Sequence, residues 1–169
     1  MNYTLDCEFM EDGHTIELLS LALVAEDGRE IYLENWNADL SKANVFVEAR
    51  VLPHLHLSEQ PCPDDGHWCP LLASSHMGKT ILRWMGKDPS PVFWGYYSAY
   101  DWVALCQLFG TMMDLPQGWP MYCHDLRSWL DWHDYTQVTQ PDGMPHHALS
   151  DARWIMETLK TYRRREASL

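Results

Sequence analysis

The segment YTLDCEF at Tyr3–Phe9 constrains the fold of this chain more than any other stretch. Its aromatic and apolar residues are typical of a β-strand, yet it contains two acids, Asp6 and Glu8, one residue apart. Because side chains alternate along a strand, both carboxylates leave the same face. A buried carboxylate without a partner is very unfavourable, and the best partner of two adjacent acids is a hard divalent cation such as Mg²⁺ or Mn²⁺. The segment therefore predicts a central strand that carries a metal site.

The order of the predicted elements favours an α/β layered fold with a mixed sheet. The first three strands form an antiparallel meander, in which Asp27-Gly28 supplies a tight turn. Helices and short strands then alternate to the end of the chain. We predict strands at 3–9, 15–25, 29–33, 92–97 and 121–123, and helices at 39–52, 74–85, 99–109, 126–133 and 147–165.

Length and charge limit the class of protein. A chain of 169 residues favours one domain with a substantial core. The net charge of -12 argues against broad binding of duplex nucleic acid, which relies on a basic face. It leaves open an active site that reaches phosphates through bound cations.

The cellular location is predicted from what the sequence lacks. Acids interrupt the N-terminal region before any apolar run forms, so we expect no signal peptide. No stretch approaches the roughly 20 apolar residues of a membrane span. Five cysteines, an odd number without a repeating framework, favour a reducing compartment. We therefore expect a soluble, cytoplasmic protein without a membrane partner.

Residues 53–75 are predicted to form a long loop or insertion, because prolines, histidines and cysteines replace the periodic apolar residues there. Cys62, His67 and Cys69 offer zinc ligands, but their spacing matches no common zinc finger or ribbon. Free thiols are the simpler interpretation.

Two later segments carry acids that could join the first pair. Asp101 in YYSAYDW lies in the first turn of a predicted helix, and Asp151 in HHALSDAR lies one turn into the last helix. His146 precedes Asp151 by five residues. Simpler explanations exist for each: acids are favoured at helix starts by the helix dipole, and a histidine in a loop is ordinary.

These motifs, in this order, resemble the DEDDh 3′–5′ exonucleases of the ribonuclease-H-like superfamily. The shared pattern is DxE on the first strand, Asp in YxxYD and H-x-x-x-x-D on the last helix. Within that group the chain is most similar to the polyadenylate-specific 3′-exoribonuclease AS family, through DCEFMEDGHTIELLSLALVAEDGREIY, NVFVEARVLPHL and HHALSDAR.

The resemblance implies a ribonuclease-H-like fold, with residues 1–169 forming a single DEDDh exonuclease domain. It also implies two Mg²⁺ or Mn²⁺ ions, which can stabilise the attacking and the leaving oxygen of a phosphodiester displacement. The implied general base is His146 rather than His147, because the motif leaves four residues between histidine and aspartate. The implied metal ligands are Asp6, Glu8, Asp101 and Asp151.

The resemblance further suggests contacts with the substrate at Phe9, Glu17, Tyr97 and Tyr100. Phe9 is as readily explained as a core residue, and Glu17 as a supporting or surface acid. Many relatives have an asparagine where this chain has Tyr97, so the chain departs from the family pattern at this predicted contact. Asp125 is most simply a helix N-cap, with a supporting role near the site as the alternative.

The implied substrate is the 3′ end of single-stranded nucleic acid, RNA rather than DNA, with release of nucleoside 5′-monophosphates. The preference for RNA rests on the resemblance alone, because no residue can be identified as a reader of the 2′-hydroxyl. Three alternatives are an exodeoxyribonuclease acting on single-stranded DNA, a phosphodiesterase acting on small nucleotides, and a catalytically silent binding module. Related exonucleases are often dimers, so a homodimer is compatible with the sequence.

Overall fold

A mixed β-sheet forms the centre of the computed structural model, which describes residues 1–56, 71–135 and 146–167. Within these residues the sheet has six strands in the order β4-β3-β2-β1-β5-β6. β1–β2 and β2–β3 are antiparallel, whereas β3–β4, β1–β5 and β5–β6 are parallel. The strands are β1 (Asn2–Glu11), β2 (Ile16–Ala25), β3 (Glu30–Asn35), β4 (Leu71–Leu72), β5 (Val92–Gly95) and β6 (His124–Asp125).

Helices flank the sheet, and polar residues at their ends define several of them. Asn44 begins α1 and Asp125 begins α4, each accepting a hydrogen bond from the backbone N–H three residues on. Gly86 ends α2 with a φ of 67°, a backbone conformation that favours glycine. The helices are α1 (Val45–Arg50), α2 (Ser74–Met85), α3 (Ala99–Gln107), α4 (Leu126–Trp132) and α5 (Ala148–Glu166).

The core lies on both faces of the sheet, which explains why β2 is apolar along almost its whole length. On one face Leu21 and Leu23 belong to a cluster that includes Met77 of α2 and Leu105 of α3. On the other face Ala22, Val24 and Tyr32 pack with three buried residues of α5, namely Ala148, Ala152 and Met156. Alternation along β2 therefore places α5 opposite α2 and α3.

One buried acid ties the end of the first described range to the sheet. Glu34 of β3 has no exposed surface, and its carboxylate accepts hydrogen bonds from the Tyr32 hydroxyl at 2.8 Å and the His56 backbone N–H at 2.7 Å. The His56 ring lies 2.9 Å from the same carboxylate. Glu34 also pairs with Leu71 in the β3–β4 ladder. Residues on both sides of the undescribed segment 57–70 thus meet at one position of β3.

The predicted fold class is confirmed: the sheet combines the antiparallel meander with parallel strands, β1 lies inside it, and helices flank it. The arrangement is consistent with a ribonuclease-H-like architecture. No helix of the described residues is both long and apolar enough to cross a membrane.

Three element predictions were wrong in detail. The helix predicted at 39–52 is the six-residue α1 between short 3₁₀ turns at 40–42 and 52–54, and Pro53 lies in the second turn. The strand predicted at 121–123 instead pairs at His124–Asp125, where β5 supplies a parallel partner. β4 falls inside the predicted loop 53–75, and two residues are too few to produce a recognisable pattern. Residues 57–70 of that loop lie outside the described residues, and they include the zinc candidates Cys62, His67 and Cys69.

Candidate metal centre and cleft

The two acids of β1 project toward α5. Asp6 lies opposite Ala22 in the β1–β2 ladder, and Ala22 belongs to the face of the sheet that packs on α5. Glu8 follows on the same face, and the register of β1 then shifts between Glu8 and Phe9. Such a bulge breaks the alternation of side chains. Phe9 accordingly lines the cleft beside the acids, instead of facing only the core.

The first turn of α5 brings a third acid to the pair. One carboxylate oxygen each from Asp6, Glu8 and Asp151 lies within 4.8 Å of the others. Asp151 is fixed by the start of its helix, where its backbone N–H donates to the carbonyl of His147 at 3.1 Å. Residues from a strand and from the most distant part of the sequence therefore meet in one cluster.

Asp101 approaches the same cluster from α3. Its Oδ1 accepts a 3.0 Å hydrogen bond from the backbone N–H of Cys7, the residue between the two acids of β1. Asp101 is buried and lines the same cavity, although it is not part of the 4.8 Å group.

These side chains line a cavity of about 430 Å³. All the site residues predicted from the sequence line it except Glu17 and Tyr100. The full lining is Asp6, Cys7, Glu8, Phe9, Glu11, Asn44, Phe46, Val47, Val51, Tyr96, Tyr97, Asp101, His146, Asp151, Trp154 and Ile155.

The acids of this cavity hold protons more tightly than free carboxylates. Burial, and then the charges on Asp151 and Asp101, raise the pKa of Glu8 to about 8. Burial raises the pKa of Asp101 to about 7 against the opposing hydrogen bond from Cys7, and that of Asp151 to about 6. The pKa of Asp6 is raised well above its usual value, chiefly by burial and then by the three neighbouring acids. Each shift has a cause that a bound cation would counteract.

Two adjacent histidines before α5 have different surroundings. His146 is exposed, lines the cavity, and has its ring centre 4.9 Å from that of Phe46 in an edge-on arrangement. His147 is the N-cap residue of α5 and stacks on Tyr32 at 4.7 Å, and it does not line the cavity. Burial lowers the pKa of His147.

The turn between β5 and α3 carries Tyr97 in a left-handed conformation, with a φ of 56°. The next residue, the buried Ser98, donates its backbone N–H to Oδ2 of Asp125 at 2.9 Å. Oδ1 of Asp125 accepts from the backbone N–H of Ser128 at 2.7 Å, the N-cap bond of α4. A Cβ at Gly95 would collide with the Cβ of Ser98, so the turn requires glycine there. Asp125 is thus both the helix cap that the sequence predicts and a tether for this turn.

The two predicted contacts outside the cavity have other partners. Tyr100 packs edge-on against Phe9, with ring centres 5.7 Å apart. Glu17 accepts a hydrogen bond from the Asp39 backbone N–H at 2.8 Å and forms an ion pair with Lys42 at 3.0 Å. It therefore holds the segment that leads into α1.

Several cavity residues were missed by sequence reasoning, most importantly Phe46, Tyr96 and Trp154. Trp154 had a usable signal, because it follows Asp151 by three residues and so shares its helix face. Phe46 had no such sequence signal, because the apolar spacing around α1 indicated that the neighbouring valines face the core. Of these, Val45 is 81% exposed, whereas Val47 is buried.

Fold and cluster together define an α/β protein with an acidic cleft whose oxygen donors suit hard divalent cations. Two 3′–5′ exoribonucleases of Mycobacterium tuberculosis, from strain CDC 1551 / Oshkosh and strain ATCC 25618 / H37Rv, are similar to this chain. Each is 41% identical over 154 residues, covering 90% of this chain and 88% of the relative. No protein-family model matches the sequence. The chain belongs to the family of these two enzymes, and it is a 3′–5′ exonuclease.

Proposed function

We propose that residues 1–169 form a single DEDDh-type domain that removes nucleoside 5′-monophosphates from the 3′ end of single-stranded RNA. The observation that carries this proposal is the convergence of the Asp6, Glu8 and Asp151 carboxylates within 4.8 Å. The identity to two named exoribonucleases supports RNA as the substrate. Membership of the polyadenylate-specific AS family is the finer proposal and rests on the sequence motifs.

The residues of the cleft fit divalent cations. The donors are carboxylate oxygens. Burial, and then repulsion from the neighbouring acids, raises the pKa values of Asp6 and Glu8, and bound cations would offset both effects. We propose that two Mg²⁺ or Mn²⁺ ions are held by Asp6, Glu8, Asp101 and Asp151. When bound, such ions offset the negative charge of the phosphate and stabilise the attacking and leaving oxygens.

His146 is the proposed general base, which takes the proton from the attacking water. Its exposure at the cavity and its position five residues before Asp151 support this role. Phe46 would keep the imidazole oriented through its edge-on contact. His147 is less suitable, because its ring stacks on Tyr32 and its Nδ1 is buried.

The substrate contacts divide into direct and supporting roles. Phe9 and Tyr97 line the cavity and are proposed to contact the terminal nucleotide. Tyr100 is proposed to act through Phe9, against which it packs. For Glu17 we propose a positioning role, because its carboxylate is bound to Asp39 and Lys42 rather than directed into the cavity.

Location and assembly are further proposals. A cytoplasmic location is supported by the free thiols of Cys7, Cys106 and Cys123. A homodimer is supported by large exposed side chains such as Trp132 and Tyr122.

The test is nucleotide release from a 5′-labelled oligoadenylate with Mg²⁺ or Mn²⁺, compared with other RNA homopolymers and single-stranded DNA. We expect shortening from the 3′ end on RNA, none with EDTA, and loss of activity in Asp6→Asn and Asp151→Asn. Glu157→Gln is the matched control, because Glu157 is an exposed acid on the same helix as Asp151. Release that survives both EDTA and Asp6→Asn would refute the metal mechanism, and equal rates on DNA would refute the RNA assignment.

A further inference from the structure

The cleft contains none of the cations that usually hold a nucleic-acid backbone. The chain has twelve Lys and Arg residues in total. All of them fall within the described ranges, because 57–70, 136–145 and 168–169 contain neither residue type. Not one of the twelve lines the cavity, whereas five acids do. A phosphate in this cleft therefore has no Lys or Arg of this chain among the lining residues.

One cation that contacts a residue of the cleft lining is already paired with an acid. Arg127 contacts Tyr96, which lines the cavity, but its guanidinium is paired with Asp131. Other cations are similarly engaged on outer surfaces: Lys42 with Glu17, Arg153 with Glu30, and Arg29 with Asp27. Arg163 and Arg165 lie over the rings of Trp94 and Tyr162.

Aromatic rings take the place of cations in the lining. Phe46 is 54% exposed and Tyr97 is 69% exposed, so both offer ring surface to a ligand. Tyr97 packs edge-on against Tyr96 at 4.7 Å, and Tyr96 packs edge-on against Trp154 at 4.9 Å. Phe9 completes the set. Rings of this kind bind unpaired bases by stacking, with little dependence on sequence.

We propose that the cleft binds only the last one or two nucleotides of a single-stranded 3′ end, by stacking and through divalent cations, without ion pairs from the protein to the phosphates. This proposal rests on the proposed function. A cavity of about 430 Å³ is near the lower end of the range for small-ligand sites and suits a nucleotide better than an extended strand. The preferred substrate class is therefore short single-stranded oligonucleotides and unpaired ends, taken without a preference for long tails.

The salt dependence of binding follows from this arrangement. Each phosphate neutralised by a protein cation contributes a slope of about −0.7 to a plot of log affinity against log salt for a single strand. Three such contacts would cost about 20-fold in affinity between about 50 and about 200 mM KCl. Without any contact between a protein cation and a phosphate, the affinity does not fall as the salt concentration rises. The net charge of -12 repels RNA. Salt screens that repulsion, which opposes any loss of affinity at high salt.

The experiment measures kcat/KM at fixed saturating Mg²⁺ on RNA of about 3 to about 20 nucleotides, across about 50 to about 400 mM KCl. Binding of a fluorescent, hydrolysis-resistant phosphorothioate pentanucleotide, followed by anisotropy, gives a second readout. We expect slopes flatter than about −0.7 in both and no gain with length beyond the shortest substrates. A steeper slope, or an affinity that keeps rising with length, overturns the proposal.

Two cleft variants test the stacking. Phe46→Ala and Tyr97→Gly should weaken pentanucleotide binding by roughly 5- to 150-fold each; glycine is used at Tyr97 because of its φ of 56°. Trp132→Ala is the matched control, an 86% exposed ring outside the cavity, and should leave binding unchanged. Unchanged binding in both cleft variants overturns the stacking. An enzyme that releases nucleotides with a steep salt slope refutes this inference alone, whereas one that releases none at any length or salt refutes the proposed function.

Discussion

Cys7 on β1 and Asp101 on α3 are joined by a 3.0 Å hydrogen bond from the Cys7 backbone N–H to Oδ1 of Asp101. Both residues are buried. The bond positions the α3 carboxylate directly beside the strand that carries Asp6 and Glu8. Because the bond needs only an acceptor oxygen at position 101, which an amide also offers, charge and hydrogen bonding can be separated by mutation.

We expect Asp101→Asn to fold normally and lose at least about 100-fold in kcat/KM, because the amide oxygen can still accept from Cys7 while the proposed metal ligand loses its negative charge. Asp101→Ala leaves the buried N–H without a partner and should be less stable than Asp101→Asn by about 1–3 kcal/mol. Urea unfolding in metal-free buffer, together with nucleotide release, measures both effects. Equal stability of the two variants would show that the hydrogen bond contributes nothing.

The stability of the metal-free protein should fall as pH rises. Glu8 and Asp101, with pKa values of about 8 and about 7, keep protons in the folded state that they release in the unfolded state, where carboxyl pKa values are about 4. The folded state therefore binds more protons, and stability decreases with pH between about 4 and about 8. Thermal midpoints of EDTA-treated protein at about pH 7 to 8.5 test this, a range that lies above most of the histidine titration.

Added Mg²⁺ or Mn²⁺ should reverse that trend. Cations compete with protons for the same carboxylates, so we expect a larger increase in thermal midpoint at high pH than at low pH. Glu8→Gln should show a weaker pH dependence and a smaller metal effect. A midpoint that rises with pH in the absence of metal, or a metal effect of equal size in Glu8→Gln, would contradict the proposed ligand set.

His146→Ala should lower kcat by about 10²- to 10⁴-fold, because it removes the proposed general base. Stability should change by no more than about 0.5 kcal/mol, because the side chain is exposed. His14→Ala, an exposed histidine in the turn after β1, serves as the control. Near-normal turnover in His146→Ala would mean that another group takes the proton.

Asp125→Ala should weaken both folding and substrate binding. Loss of the α4 cap costs about 1–2 kcal/mol, and the buried Ser98 N–H loses its acceptor. The turn that presents Tyr97 to the cleft is thereby released, so KM should rise more than kcat falls. Asp114→Ala removes a cap outside the cleft and should lower stability without raising KM. If Asp125→Ala, like Asp114→Ala, lowered stability without raising KM, Asp125 would act only as a helix cap.

The sequence predicted the elements whose signals are local. Strand alternation around Asp6 and Glu8 and the long amphipathic pattern of α5 are both visible without knowledge of partners, and both are confirmed as elements. β4 and β6 are only two residues long each and exist because a neighbouring strand offers hydrogen bonds. Such elements depend on distant residues, and a local pattern cannot predict them.

The residues of the cleft also divide into those with a local sequence signal and those whose position depends on distant residues. Carboxylates on a strand and at helix starts are unusual enough to be recognised, and the structure brings them together. Phe46 is an ordinary residue of a short helix, and it reaches the cleft only because α1 packs where it does. The aromatic character of the site was therefore hidden in the sequence, although the absence of nearby cations could be suspected from the net charge of -12.

The pairing of Glu34 with both His56 and Leu71 has a consequence for how this enzyme can diversify. His56 and Leu71 both lie beside Glu34. The two ends that the sequence between them must join are therefore already adjacent. Doubling the length of such a connection costs only about 0.6 kcal/mol. Natural insertions, deletions or a grafted peptide between these anchors should therefore be accepted without disturbing the acids of the cleft, which belong to β1, α3 and α5.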